Sequence, residues 1–477
     1  MNTEDFRKHA HELVDWMADY LEGVEDYPVL PNVKPGDIYA QIPDSAPDEA
    51  EAFDQIFGDF KQKIMPGITH WESPNFMAYF PANKSKASVL AEMLMSTLGS
   101  QCMMWLTSPA AAELEERMMD WLREMLGLSA DFTGSIQDTA STATLCAMLT
   151  ARERASEYAV NEKGFTGNER YTIYCSQQVH SSIEKGAKIA GFGREQVRKV
   201  GVDEAYAMNA DELKAAIEQD LADGFQPLCV ISALGTTGTT AIDPIDEISD
   251  LCLEYGIWHH VDAAYAGTAL VLPELRWMSK GVEKADSFVF NPHKWMFTNF
   301  DCTAYFVKDP VALVNTFTIM PDYLKTSVDT EVKNYRDWGI PLGRRFRALK
   351  LWFVIREMGV SGIREKIRNH IAWGHWLAEE IDSHSEFDLL APVPLNTLCF
   401  RFDPPEDDAT VDQLNQEIMD NINKSGKLFF MQMVLEGRFA LRLAFGSTEL
   451  EKRHIENAWQ LIQAEATKVY AAYKQKG

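Results

Sequence analysis

Short apolar runs alternate with helical stripes through the middle of the chain. Leu228 to Ala233 reads as a buried strand, and Asp243-Pro244 as the cap and first turn of a helix striped by Ile245, Ile248, Leu251 and Tyr255. Gly256 stops that helix and Ile257 to Ala263 forms the next strand. Strand, helix, strand in that order predicts parallel pairing with a crossover, because a tight turn can only join antiparallel neighbours. Residues 171–176 and 287–291 add further buried strands. The predicted fold class is therefore α/β, with ligands bound where strands end at their carboxyl side.

The flanks read differently. Phe6, Leu13, Met17, Leu21 and Val24 recur at helical spacing, with Gly23 as the stop, and prolines from Pro28 to Pro47 then break the pattern. Ser108, Pro109 and Gly127 mark the cap, first turn and stop of a helix striped by Leu114, Met118, Trp121 and Met125. A long helical pattern over 344–383 leads into strands at 397–402 and 439–445 and a last helix over 458–471. These patterns predict an N-terminal helical arm (1–80), a large α/β domain (81–365) and a small C-terminal α+β domain (366–477).

Composition narrows the possibilities. The chain has 477 residues, and 45 Lys+Arg against 71 Asp+Glu give a net charge of −26, which repels nucleic acid and anionic lipid. The 7 cysteines are scattered without a CxxC pair, so they read as apolar fillers rather than a disulfide frame or a zinc site. The opening MNTEDFRKHAHELVDW carries acids and no apolar core with a cleavage site, and no apolar run is long enough to span a bilayer. A cytoplasmic protein is expected.

Candidate chemistry gathers at strand ends. In HHVDAAYAG, Asp262 closes a buried strand, where an unpaired acid is costly to desolvate. In FNPHKW, Lys294 follows another buried strand; alone it would pass for a surface lysine. An amine and an acid at neighbouring strand ends meet the needs of pyridoxal phosphate, which takes a lysine amine on its aldehyde and a carboxylate at its ring nitrogen. DTASTAT (138–144) opens a helix whose free N–H groups, with the Thr139 and Ser141 hydroxyls, suit a phosphate, although an ordinary N-cap reads the same way. His180 follows the strand at 171–176 and could lie on the cofactor ring.

These elements, in this order, resemble the group II pyridoxal-phosphate decarboxylases, and most closely the aromatic-L-amino-acid decarboxylases. The resemblance runs through SPNFMAYFP (73–81), TSPAAAELE (107–115), VHSSIEKG (179–186), LGTTGTT (234–240), HVDAAYAG (260–267), ADSFVFNPHKW (285–295), MPDYLKT (320–326) and IPLGRRFRALKLW (340–352). It implies a type I aminotransferase-like fold and a homodimer with sites at the interface, on which the N-terminal arm would lie. By motif, Lys294 resembles the cofactor-binding lysine, Asp262 the partner of the pyridine nitrogen and His180 the ring-stacking residue. Thr139, Ala140, Ser141, Asn291 and His293 resemble the phosphate cradle; Thr237 and Ala264 line the ring, and Gly343 joins the cofactor-binding set. Tyr323 resembles the loop tyrosine that returns a proton to the substrate carbon. Trp71, Tyr79, Phe80 and Pro81 resemble an aromatic substrate wall, and Arg442 a group near the substrate carboxylate.

The implied reaction is decarboxylation of tryptophan, phenylalanine, tyrosine or DOPA to the amine and carbon dioxide. Aldehyde-forming relatives often replace the tyrosine or the histidine, whereas this chain keeps Tyr323 and His180. Gln101 and Met103 stand where animal relatives carry an aliphatic and an aromatic residue across the dimer, and Gly343 leans towards an indolic substrate. Asp138 stands beside the expected phosphate and is expected to turn away as a helix cap. The competing readings are an aldehyde-forming or non-aromatic decarboxylase, a non-catalytic cofactor-binding protein, and a metal site at His259, His260 and Asp262. Adjacent strand residues face opposite ways, which disfavours a shared ion, so no metal is expected.

Overall fold

The computed structural model describes residues 1–319 and 331–476. Its main sheet contains β1 (Thr133–Gln137), β2 (Tyr171–Ser176), β3 (Val197–Val200), β4 (Gln226–Ala233), β5 (Trp258–Asp262), β6 (Ser287–Phe290) and β7 (Thr303–Val307) in the order β1-β7-β6-β5-β4-β2-β3. Neighbours from β3 to β6 pair in parallel, while β7 runs antiparallel to both β1 and β6. All residues of β2, β6 and β7 are buried, as a sheet covered on both faces requires. The sheet is mostly parallel, with helices between its strands, as the α/β reading expects.

The chain divides into two units. One comprises Met1–Pro81, Trp376–Leu390 and Cys399–Gly477; the other comprises Ala82–His375 and Ala391–Leu398. The second holds the seven-stranded sheet. The first holds most of an antiparallel sheet built from β8 (Phe387–Leu389), β9 (Thr397–Phe402), β10 (Met431–Leu435) and β11 (Arg438–Ala444), in the order β10-β11-β9-β8. Among the described residues no helix is long and apolar enough to cross a membrane. All seven cysteines are buried and none forms a disulfide.

Several local expectations change. The helix Pro109–Leu126 starts after Ser108 without a side-chain cap bond, and its buried face runs through Ala111, Glu115, Met118, Leu122 and Met125 rather than through Leu114 and Trp121. Glu115 turns that face because Arg344 meets it with two bonds, Nη2 to Oε1 at 2.6 Å and Nη1 to Oε2 at 2.9 Å. Both side chains are buried. Replacing Glu115 by leucine should lower the unfolding free energy by about 3–5 kcal/mol, because Arg344 would keep a buried charge without its partner. Chemical denaturation of the two proteins would check this, and an unchanged midpoint would remove the pair from the fold's support.

Asp243 does not cap the helix Ile245–Tyr255, whose cap position is Pro244. The Asp243 carboxylate is buried and accepts the N–H of Ala233 at 2.6 Å and of Met208 at 2.8 Å, tying down the end of β4. The helix pattern over 344–383 is one run, Arg347–Asp382, broken at Gly359, where φ is +65°. The N-terminal helix Thr3–Glu22 forms with an Asn2 capping box, yet none of its residues is buried.

Buried imidazoles make acid sensitivity a property of the fold. Burial lowers His259, His260 and His370 to about 3, against the usual 6.5. The unfolded chain therefore takes up protons that the folded chain refuses, and stability is lost as pH falls from about 6.5 towards 3. Asp243, raised to about 7 by burial, acts in the opposite sense over part of that range, but it is one group against four once His293, also lowered to about 3, is included. The thermal midpoint should be lower at pH 5 than at pH 7; a rise would contradict this.

Candidate cofactor and substrate site

Five chain segments leave the main sheet at one edge. Asp262 ends β5 in the middle of the sheet, paired with Ala233 of β4 and Val289 of β6. Its Oδ1 accepts the N–H of Ala264 at 3.0 Å, which curls the chain just beyond the strand. β6 continues through Asn291 into the short turn Pro292–Trp295, and the N–H of Asn291 bonds the Ala264 carbonyl at 2.9 Å. Lys294, half-buried in that turn, is thus carried on the strand next to Asp262. The loop after β4 brings Thr237, and the chain after β2 brings His180.

The lysine's backbone is clamped from a distance in sequence. Asn83 donates Nδ2–H to the Lys294 carbonyl at 2.9 Å and its main-chain N–H to the His293 carbonyl at 3.2 Å. His293 exchanges bonds with Cys302: its Nδ1 accepts the Cys302 N–H at 2.9 Å, and its N–H donates to the Cys302 carbonyl at 3.2 Å. Burial first, and then the Lys294 ammonium, lowers His293 to about 3, so the ring is neutral and carries its proton on Nε2. Thr303 Oγ1 lies between the Asn291 Oδ1, at 2.8 Å, and the Asp138 carbonyl, at 3.2 Å, linking the ends of β6 and β1.

His180 registers both charged groups. Its pKa lies below 6.5, lowered first by desolvation and next by the Lys294 ammonium, with the Asp262 carboxylate opposing. Part of the ring nevertheless remains open to solvent in the single chain. Nδ1 accepts the Ser182 N–H at 3.2 Å and meets the Ser182 hydroxyl at 2.9 Å, which places the proton of the neutral ring on Nε2.

At the end of β1, Thr139 rather than Asp138 caps the helix Ala140–Ala155, accepting the Thr142 N–H on Oγ1 at 3.3 Å. The Asp138 carboxylate instead accepts the Thr139 N–H at 2.8 Å. The N–H groups of Ala140 and Ser141 are in the first turn and have no partner within the helix. Amine, carboxylate and a helix N-terminus at one sheet edge form the donor set that a phosphorylated pyridine aldehyde requires.

The remaining expected residues form two further groups. In the second unit, Gln101 Oε1 accepts the Arg344 N–H at 2.6 Å, and the Met103 carbonyl accepts the Arg336 N–H at 2.8 Å. Gly343 lies against the Gln101 amide, which a Cβ there would meet at 3.3 Å, beside a cavity of about 320 Å³. In the first unit, Trp71 stacks on Phe76 at 4.3 Å and on Tyr79 at 5.5 Å. Arg442 donates Nη1–H to the Tyr79 carbonyl at 2.8 Å and lies over the Phe80 ring, while Phe80 and Pro81 are buried. Tyr79 holds φ at +52°, a costly conformation for a residue with a Cβ. Tyr323 lies outside the described residues.

His259 and His260 face opposite sides of the sheet. His259 sits between the hydroxyls of Ser232 and Ser249, and His260 between those of Thr144 and Ser287. Their ring nitrogens are occupied by hydroxyl partners. Sequence reasoning missed Asn83, Cys302 and Thr303 as supports. The pairing of Asn83 with Lys294 spans 211 positions and leaves no local signal.

The family model described as the pyridoxal-dependent decarboxylase conserved domain matches residues 35–403. Tryptophan decarboxylase 2 of Oryza sativa subsp. japonica is 42% identical over 480 residues, covering 98% of this chain and 96% of the relative. Phenylacetaldehyde synthase of Arabidopsis thaliana is 40% identical over 478 residues, covering 98% and 97%. The crystal structure of Catharanthus roseus tryptophan decarboxylase in complex with L-tryptophan superposes with a TM-score of 0.93 at 38% identity, covering 98% of this chain and 99% of that one. The likeness extends over nearly the full length of each relative, across both the sheet that carries Asp262 and Lys294 and the C-terminal strands, and on that ground the chain belongs to the pyridoxal-dependent decarboxylase family.

Proposed function

We propose that this chain decarboxylates an aromatic L-amino acid to its amine, with pyridoxal phosphate held by Lys294 and Asp262. The observation that carries the reading is the placement of these two groups on adjacent strand ends, both close enough to His180 to act on its titration. Relatives named for tryptophan and tyrosine support the aromatic substrate.

In this reading Lys294 provides the amine that holds the cofactor's aldehyde, and Asp262 keeps the ring nitrogen protonated. Ala140 and Ser141 offer N–H groups to the phosphate, joined by Asn291 and the Nε2–H of His293. Thr237 and Ala264 border the ring. Bound there, pyridoxal phosphate supplies a sink for the electron pair released when the bond from Cα to the carboxylate breaks. His180, neutral with its proton on Nε2, would lie on the ring and offer that N–H as a hydrogen-bond donor, since giving the proton up would leave an imidazolate. Tyr323 is assigned the main proton delivery. Trp71, Tyr79, Phe80, Pro81, Gln101 and Met103 are assigned to the substrate side chain, Gly343 to the cofactor and Arg442 to the substrate carboxylate.

We read the working protein as a cytoplasmic homodimer. Ser141, His180, Thr237 and Gly343 are exposed in one chain, and the helix Thr3–Glu22 buries none of its residues, so a second copy would complete these surfaces. The buried cysteines, none of them in a disulfide, agree with a reducing compartment.

A second reading, conversion to the aldehyde, has the Arabidopsis relative named phenylacetaldehyde synthase in its favour. Incubation with tryptophan, phenylalanine, tyrosine, DOPA and glutamate, with amine, aldehyde and hydrogen peroxide quantified separately, decides between the two. Amine from an aromatic substrate is expected. Aldehyde with peroxide as the main product, or turnover of glutamate alone, would overturn the proposal. Tyr323→Phe should shift the product from amine towards aldehyde, and unchanged amine output would remove Tyr323 from its role.

A further inference from the structure

The two motifs that carry Asp262 and Lys294 each contain an aromatic residue that the chemistry has not used. Tyr265 stands three places after Asp262, and Trp295 directly follows Lys294. Their rings stack face to face, with centroids 4.7 Å apart and planes 7° from parallel. Both residues are almost wholly buried, at 1% and 0% exposure, so the stack is an interior joint and not a surface for ligand.

Each ring is anchored at its far end. The Tyr265 hydroxyl accepts Nδ2–H of Asn396 at 2.7 Å, and Trp295 donates Nε1–H to Nδ1 of His370 at 3.0 Å. His370 is buried and neutral, as an acceptor at Nδ1 must be. Gly267 lets the chain beyond Asp262 close onto β6, since a Cβ there would meet the Phe290 Cβ at 2.5 Å. The stack therefore joins the segment after β5 to the turn after β6 at a further place, beside the backbone bonds from Asn291 to the Ala264 carbonyl and from Ala263 to the Val289 carbonyl.

We propose that Tyr265 and Trp295 are positioning residues whose stack, braced by Asn396 and His370, fixes the separation of the Asp262 carboxylate and the Lys294 amine. The proposal rests on the reading that these two groups grip one cofactor. A rigid pyridine ring has a set distance between its aldehyde and its ring nitrogen, so both ends are engaged only if the strand ends cannot drift. Cofactor affinity and kcat should depend on the stack more strongly than KM does, because the substrate side chain does not touch it.

The test compares Trp295→Leu and Tyr265→Leu, which remove the stack, with Trp295→Phe, which keeps an aromatic face. Trp258→Leu is the control, since it removes an equally buried indole at the opposite end of β5. Each full-length protein is stripped of cofactor and titrated with pyridoxal phosphate; kcat, KM and the visible circular dichroism of the bound cofactor are then measured. The two leucine variants should bind the cofactor about tenfold more weakly and lose about 10- to 100-fold in kcat, the size expected of a misplacement near 1 Å. Their KM should stay near wild type and their visible dichroism should weaken. Trp295→Phe should recover most of the loss, and Trp258→Leu should lose thermal stability alone. Wild-type affinity and kcat in both leucine variants, or losses matched by the control, would overturn the proposal. If the wild-type protein itself fails to bind pyridoxal phosphate, the parent reading fails instead.

Discussion

Replacing Lys294 by alanine should leave a folded protein that releases no measurable carbon dioxide from any aromatic amino acid. The turn Pro292–Trp295 does not depend on the lysine side chain: its backbone is held by Asn83, Asn291 and the exchange between His293 and Cys302. Alanine removes the amine together with its methylene stem. Without it no group in the turn can hold an aldehyde covalently, and the expected fall in kcat is about ten-thousand-fold or more, on the order of 5 kcal/mol in the barrier. Loss of the Lys294 ammonium would also let the His180 pKa move back up, because that charge is one of the two causes that lower it. Trapping of released carbon dioxide, with circular dichroism to confirm the fold, measures the effect. Turnover within tenfold of wild type would show that the amine serves elsewhere.

Asp262→Asn should be nearly as severe, for a different reason. Asparagine keeps the shape and can still accept the Ala264 N–H on its carbonyl oxygen, so the bend after β5 survives. What disappears is the negative charge that would keep a pyridine nitrogen protonated in a setting with little water. A loss of about a thousandfold in kcat is expected, on the order of 4 kcal/mol, with a much smaller change in KM. Asp262→Glu should restore part of the rate by returning the charge in a displaced position. Equal rates for the aspartate and asparagine proteins would mean that residue 262 has only a structural part. The His180 pKa should fall further in Asp262→Asn, since the carboxylate is the group that raises it.

Much of this site is legible in the chain because its parts are local. The apolar runs before Asp262 and Lys294 announce strands, and strand ends in an open α/β sheet are where ligands bind. The hydroxyl-rich start at Thr139 announces a helix N-terminus. Which residue caps it is less legible: Asp138 and Thr139 both qualify by type, and the backbone at Thr139, extended with φ −137°, decides between them. Asp243 misleads for a similar reason. Beside a proline at a helix start it looks like a cap, but two N–H groups from other segments claim its carboxylate. Glu115 illustrates the limit of apolar periodicity, since a charged residue occupies the buried face once Arg344 neutralises it. The clamps on Lys294, from Asn83 and from the Cys302 partnership of its neighbour His293, arise only when distant segments meet, so no spacing rule contains them.

If Lys294 holds pyridoxal phosphate covalently, reduction with borohydride will fix the cofactor to that side chain. The cofactor-loaded protein is reduced, digested and mapped by peptide mass. A single stable pyridoxyl phosphate label is expected, on the peptide that contains Lys294, with none on the buried Lys350. A label confined to another lysine, or no label on a protein that still decarboxylates, would contradict it.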